Sequence, residues 1–208
     1  MVRLTIKMPI ILTKNNTDIP TAKRELRSAA LSARRALAPN MRRQCSEVIC
    51  AEIAKMLRVR AARTVLSYRA VGAEVDPAPL NAALAAEGAK IFFPRCRADG
   101  GITPLRPLCD DAWQSGPLGI QEPDPMRSES IDPAEIELVI VPCVAFDERC
   151  NRLGRGAGYY DRFLPLCDSA FVVAPAFEVQ HADAVPCDDA DFPLDAVITE
   201  CARYTRTR

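Results

Sequence analysis

Apolar positions recur at helical spacing from Thr21 onward: Leu26, Ala29, Ala30, Ala33 and Leu37 form one stripe. Pro39-Asn40 breaks it. A second helix is expected over about 41–58, with Met41, Cys45, Val48, Ile49 and Met56 along one side. Glu52 interrupts that side, so this helix reads as half buried. Then the period changes. Thr64–Tyr68 is a short β-type run, Pro77–Glu87 is helical, and Gly88 suits the position just past the helix end. Ile91–Arg95 reads as a strand, 98–101 as a turn, and Ile102–Leu108 as its hairpin partner. Residues 110–135, rich in Pro, Gly, Asp and Ser, read as a long loop. Leu138–Val144 is continuously apolar, the pattern of a strand buried on both faces. A polar Gly-rich loop and a helix from about Tyr159 to Leu166 follow, then two more buried-type strands, Phe171–Ala174 and Ala196–Thr199. Strands alternating with helices imply an α/β fold with a mostly parallel sheet. Residues 1–20 show no period and hold Pro9, Asn15, Asn16 and Pro20; they read as a flexible leader before a single domain over 21–208.

Composition narrows the class. Of 208 residues, 49% are apolar and 26% charged, which fits a soluble globular chain and excludes a disordered one. No apolar stretch reaches the roughly 20 residues of a membrane span. Met8–Leu12 is too short for the core of a signal peptide. Nine cysteines, an odd number without a C-x-x-C, argue for a reducing cytoplasm rather than a disulfide scaffold. The only histidine, His181, rules out a His-based zinc site and a multi-His relay. Aromatic content of 6% with a single tryptophan, Trp113, argues against base-stacking platforms. Formal charge cancels, yet residues 1–60 hold 13 Lys/Arg against 4 Asp/Glu. A basic N-terminal part meeting an acidic body suits anion binding at the junction; the plainer reading is a set of solvated, Arg-rich helices.

The segment richest in chemistry is Asn151-Arg152-Leu153-Gly154-Arg155-Gly156-Ala157-Gly158-Tyr159-Tyr160-Asp161-Arg162. It follows a buried strand and opens a helix. Its glycines let the backbone turn and approach a ligand closely. Amides at a helix start face an anion, most naturally phosphate, and Arg152 and Arg155 add the right charge. The spacing is neither a Walker A loop nor the dinucleotide fingerprint, which needs Gly where Tyr159 stands. Asp161 could bind Mg²⁺ held by nucleotide phosphates, or simply favour the helix dipole. Lys23 and Arg27, four apart, share a helix face able to grip a polyphosphate or merely to meet solvent. Glu74 lies past the first strand, where open α/β sheets place ligand contacts, and could bind a donor-rich heterocycle. Asp191 precedes the final strand as a second candidate for magnesium or a plain turn residue. Cys143 and Cys150, with no base near them in sequence, read as packing residues.

With these residues in view, the chain resembles the 5-formyltetrahydrofolate cyclo-ligase family, also called methenyltetrahydrofolate synthetases. The resemblance runs from about Lys23 to Glu200. It is carried by Lys23–Arg27, Glu74-Val75-Asp76, Phe93-Pro94-Arg95, Gly119-Ile120-Gln121-Glu122-Pro123, Asn151–Arg162 and Asp191–Glu200. The string Arg-Leu-Gly-Arg-Gly-x-Gly-Tyr-Tyr-Asp is the specific part.

The resemblance implies a three-layer α/β/α sandwich, similar to sugar-phosphate isomerase and CoA-transferase domains. It implies conversion of 5-formyltetrahydrofolate and ATP to 5,10-methenyltetrahydrofolate, ADP and phosphate, with Mg²⁺. In that family the formyl oxygen is phosphorylated and N10 then attacks the carbon. Lys23 and Arg27 match the N-terminal ATP-binding pair, and Arg152, Leu153, Gly154, Arg155, Gly156, Ala157, Gly158, Tyr159 and Tyr160 match the ATP loop. Arg155 and Lys23 are the expected catalytic cations, and Asp161 and Asp191 the expected magnesium ligands. Tyr68, Glu74, Trp113 and Tyr159 are expected on the folate side. Ala157 stands where some members carry Lys, so Arg155 must supply more of the phosphate charge. The partners implied are small molecules alone, acted on by a cytoplasmic monomer, with no nucleic acid and no membrane. Phosphoryl transfer asks the protein mainly for positioning and charge, which fits a motif of Gly, Arg, Lys and Asp without a nucleophile-base pair. Two other readings are another ATP-dependent phosphoryl transferase on this scaffold and a non-enzymatic anion-binding protein; the latter leaves Asp161 and the Gly-rich loop unexplained.

Overall fold

The computed structural model describes Ile10 and residues 18–60, 62–116 and 119–206. The leader expected over 1–20 lies mostly outside these residues. Within them, Ile10 donates its amide to the His181 carbonyl at 2.9 Å and packs on the first helix's cluster.

Helix α1 (Ile19–Ala36) starts two residues before the apolar period and buries Leu26, Ala30 and Arg34. Steps of four place these on one line. Ala29, expected on the stripe, is exposed, and Arg34 sits inside it instead. The helix covers Val144, Ala145, Leu153, Ala182 and Val185. Helix α2 (Pro39–Arg60) buries Cys45, Ile49, Cys50 and Ile53. Val48 is 47% exposed, so the α2 stripe is rotated from the expected one. Glu52 points outward to Lys55 and Arg203.

Strand β1 (Thr64–Leu66) is followed by α3 (Ala78–Ala86), β2 (Lys90–Cys96) and β3 (Ile102–Pro107). The segment expected as a long loop is instead structured. It holds a hairpin of β4 (Trp113–Ser115) and β5 (Gln121–Pro123), then β6 (Ser128–Ser130). These strands are only three residues long and are mostly polar, with Gln, Glu, Ser and Pro, so no period-2 pattern could announce them. Next come β7 (Leu138–Ile140) and a second small hairpin of β8 (Ala145–Phe146) and β9 (Arg152–Leu153). Helix α4 (Tyr159–Phe163), β10 (Phe171–Pro175), β11 (Ala196–Ile198) and β12 (Arg203–Thr205) complete the chain.

Eight strands form the main sheet in the order β12-β11-β10-β7-β1-β2-β3-β6. The five central strands run parallel; β12 pairs antiparallel with β11, β3 with β2, and β6 with β3. Alternation along each strand fills both faces. Leu66, Val139, Val172 and Val197 point to the side of Phe163 and Leu164. Val65, Leu138, Ile140, Val173 and Ile198 point to Ile49, Ile53, Leu80 and Leu84 of α2 and α3. Each such buried Leu or Ile contributes roughly 1.5–3 kcal/mol. The result is the three-layer α/β/α arrangement.

From β1 the chain first builds outward through β2, then returns to place β7 on the other flank of β1. This reversal opens a crevice at the carboxyl ends of β1 and β7, where open α/β sheets bind ligands. All nine cysteines are free, and five of them are buried. No helix among the described residues is long and apolar enough to cross a membrane.

Candidate active site

A cleft of about 360 Å³ opens at that crevice. One wall comes from the segment after β1, with Tyr68, Arg69, Val71 and Glu74. The opposite wall follows β7 and includes Cys143 and the whole Arg152–Arg162 segment. Helix α1 adds Lys23 and Arg27, and the β4–β5 hairpin adds Trp113, Ile120 and Glu122. Residues more than a hundred positions apart thus share one cavity. It brings together every residue expected to bind ATP, folate or magnesium: Lys23, Arg27, Tyr68, Glu74, Trp113, 152–161 and Asp191.

The Gly-rich segment is shaped from below by Asp147. Its buried carboxylate accepts from the amides of Arg149, Asn151 and Val185 and from the Asn151 side chain. That closes the β8–β9 turn and delivers Arg152 inward, 5% exposed. Gly156 has φ +104° and Gly158 φ +70°, conformations that L side chains rarely adopt. Arg27 Nε donates to the Gly154 carbonyl at 2.9 Å, tying α1 to the loop. Burial lowers the pKa of this guanidinium. Arg155, Gly156 and Ala157 remain exposed at the cleft mouth. Helix α4 is only five residues long, so its macrodipole adds little; anion affinity rests on the loop and its arginines.

Each acidic candidate has a cation beside it. Asp161 accepts from Arg152 Nη2 at 2.7 Å. Asp191 accepts from Lys23 Nζ at 2.6 Å, and Asp188 receives the same ammonium at 2.7 Å. Burial disfavours the Lys23 ammonium, but hydrogen bonds to Asp188 and Asp191 outweigh it and raise its pKa. The hydrogen bond from Lys23 holds Asp188 below the ordinary aspartate value. No group of three or more His, Cys, Asp or Glu side chains among the described residues is placed to hold a metal. Two carboxylates in one cleft, oxygen donors only, still fit Mg²⁺ arriving with a polyphosphate, because that ion favours oxygen and takes most of its ligands from phosphate and water.

Glu74 is 8% exposed and fully engaged. Its Oε1 accepts from Arg155 Nε and Nη2 at 3.1 and 2.8 Å, and its Oε2 from the Val71 amide at 2.9 Å. The Tyr68 hydroxyl donates to the Val75 carbonyl at 2.8 Å, and burial raises its pKa well above the ordinary value. The far end of the cleft is apolar. Phe93 and Trp113 meet edge to face at 5.1 Å, and the Arg69 guanidinium lies 4.4 Å from the Trp113 ring centre. Tyr159 sits partly buried beside Arg162, and the buried Tyr160 hydroxyl has no hydrogen-bond partner among the described residues.

Sequence reasoning missed three charged groups here. Arg34 is 4% exposed under the cleft and donates to the Cys143 carbonyl at 3.2 Å; its signal was an arginine inside an apolar stripe. Burial lowers its pKa, with Glu74 opposing. Asp188 had no signal beyond an acidic run. Glu122 stood within a recognised motif, but a loop reading gave it no direction.

The profile of the 5-formyltetrahydrofolate cyclo-ligase family matches residues 19–200. The chain belongs to this family. The 5-formyltetrahydrofolate cyclo-ligase of Mycolicibacterium smegmatis is 32% identical over 188 residues, covering 86% of this chain and 94% of that protein. That of Escherichia coli K12 is 28% identical over 170 residues, covering 80% and 93%. The solution structure of the Aquifex aeolicus 5,10-methenyltetrahydrofolate synthetase superposes with a TM-score of 0.78 at 30% identity, covering 89% of this chain and 93% of that one. The cyclo-ligase family membership makes this protein an enzyme, a ligase of folate metabolism.

Proposed function

We propose that this protein converts 5-formyltetrahydrofolate and ATP to 5,10-methenyltetrahydrofolate, ADP and phosphate, with Mg²⁺, and works in the cytoplasm as a monomer. One observation carries the reading. A single cleft joins a cationic, Gly-rich end to an aromatic end holding buried carboxylates. The first suits a triphosphate and the second a flat, donor-rich ring.

An amide-like formyl oxygen is a poor leaving group. Phosphorylation by ATP makes it a good one: the formyl oxygen bonds to the γ-phosphorus and ADP departs. N10 then attacks the formyl carbon and closes the ring, its proton passes to solvent, and the C–O bond breaks to release phosphate. The residues contribute position and charge. Arg155 at the cleft mouth and the Gly154–Gly158 amides cradle phosphate oxygens. Lys23 and Arg27 on α1 approach from the other side, while Arg152 holds Asp161 in place. Phe93 and Trp113, packed on each other, form an apolar wall against which the ring lies and which excludes water. Bound Mg²⁺ neutralises phosphate charge, and Asp161 and Asp191 are the side chains that would hold it.

Mixing the protein with MgATP and 5-formyltetrahydrofolate and following the methenyl product by near-ultraviolet absorbance tests this. Product formation that needs both substrates and yields ADP is expected. Folded protein that gives no product at saturating substrate overturns the reading.

A further inference from the structure

We infer that Arg162 is a positioning residue: it clasps the β2–β3 turn to the Gly-rich segment and so aligns the two substrates for phosphoryl transfer. This rests on the two-substrate reading of the cleft. Arg162 lies on α4, one residue past Asp161. Its Nε and Nη2 donate to the Gly100 carbonyl at 3.0 and 2.8 Å, across a separation of 62 residues. Nη2 also donates to the Ala157 carbonyl at 2.8 Å. Gly100 stands in the turn between β2 and β3, and Ala157 in the Gly-rich segment. Among the described residues, no other hydrogen bond joins the β2–β3 hairpin to residues 152–162.

The backbone is shaped around this guanidinium. A Cβ at Gly100 would lie 2.7 Å from Nη2, and one at Gly158 would lie 2.6 Å from Nη1, both too close for any side chain while the clasp is shut. The two glycines also have φ +82° and +70°, so neither position accepts an L side chain without strain. The Tyr159 ring centre is 5.6 Å from the Arg162 guanidinium carbon, within range of a cation–π contact. Arg152 and Arg155 pair with carboxylates of the cleft. Arg162 instead grips two main-chain carbonyls from different segments, which makes its role mechanical rather than electrostatic. A planar fork of donors suits that task.

The joined segments line opposite ends of the cleft. β2 and β3 supply Phe93 and Ile102 to the aromatic end, while Gly156, Ala157 and Gly158 line the cationic end. Under the proposed reaction the formyl oxygen is held by the first and the γ-phosphorus by the second. A misplacement of about 1 Å between reacting atoms costs on the order of a hundredfold in rate. If the clasp opens, each substrate keeps its own contacts and only their mutual placement changes. Arg162 is therefore placed to act on the rate of the bound complex and not on the binding of either substrate.

The test uses Arg162→Met, which removes the donors and keeps bulk beside Tyr159. The single-turnover rate with MgATP and 5-formyltetrahydrofolate both saturating should fall roughly tenfold to a hundredfold. The Kd of each substrate, read by calorimetric titration, should stay within about threefold of wild type. Arg162→Lys keeps the charge without the planar fork and should recover little of the rate. Gly100→Ala lies outside the cleft lining and pushes the guanidinium off its carbonyl. It should reproduce the loss of rate, and the double variant Gly100→Ala/Arg162→Met should be no slower than the slower single variant, because both open one clasp. Melting curves are recorded for every variant. A lowered melting temperature with an unchanged single-turnover rate makes Arg162 merely structural and overturns the proposal. Full recovery in Arg162→Lys makes it a phosphate cation and overturns the proposal too, as does a Kd for either substrate raised about tenfold at unchanged rate. If Arg162→Met does not fold, Gly100→Ala and Arg162→Lys carry the same outcomes. Wild-type protein that turns over while the variants behave like it overturns the clasp alone; wild-type protein without turnover overturns the folate reading and the clasp with it.

Discussion

Arg155 directs both its Nε and its Nη2 to one oxygen of Glu74, at 3.1 and 2.8 Å, across a sequence separation of 81 residues. The residue expected on phosphate and the residue expected on folate are therefore direct partners. Glu74 is 5% exposed at its side chain and Arg155 44%. The carboxylate is thus fixed and the guanidinium is free to leave. Under the proposed reaction a substrate donor that takes Glu74 releases Arg155 toward ATP, which would couple the two ends of the cleft.

Arg155→Ala should weaken ATP use and leave Glu74 buried without its cation. A lost charged hydrogen bond costs about 1.5–3 kcal/mol, so kcat/KM for ATP should fall roughly tenfold to a hundredfold. Steady-state kinetics with ATP varied checks this; an unchanged KM and kcat would make Arg155 a surface residue.

Glu74→Gln should impair folate use and, because it also loosens Arg155, disturb ATP use to a smaller degree. The two sites should not be independent. In a double-mutant cycle with Arg155→Ala, a coupling of about 0.5–3 kcal/mol is expected for residues in contact. Additive effects in both substrate titrations would remove the coupling.

Asp161→Asn and Asp191→Asn should each raise the free Mg²⁺ needed for half-maximal rate. The double variant should be less than additive, since both act on one ion. Melting curves recorded beside the rates separate this from a role confined to pairing Arg152 and Lys23. In that case stability falls while the magnesium requirement stays put.

Lys23→Met should lower the melting temperature by on the order of 2 °C near neutral pH. The folded pKa of Lys23 is raised, so its contribution is full below the ordinary 10.5 and is lost as pH climbs through the higher folded value. The folded pKa of Asp188 is lowered, so its contribution is full above the ordinary 3.8 and is lost as pH falls through the folded value. The difference in melting temperature between wild type and variant should therefore form a plateau between these limits and shrink at both ends. A difference that ignores pH would show that Lys23 stabilises by packing alone.

The amino-acid sequence by itself determined much of this protein. Unbroken apolar runs such as Leu138–Ile140 and Phe171–Ala174 can be satisfied only by burial on both faces, so the parallel sheet was legible. The Asn151–Asp161 string was legible too, because close backbone approach to an anion demands glycine and cations within a few residues. Tertiary structure decided what local patterns cannot encode. Gly119–Pro123 is too short and too polar to show a period, so only packing against β2 revealed β5 and turned Glu122 inward. Arg34 breaks its own helical stripe, and only the carbonyl of Cys143 explains its burial. Lys23 meets Asp188 and Asp191 across more than 160 residues because the sheet reverses direction at β1 and folds both ends of the chain onto one crevice. Periodicity records which face of an element is buried; which residues then meet depends on strand order, a property of the whole chain.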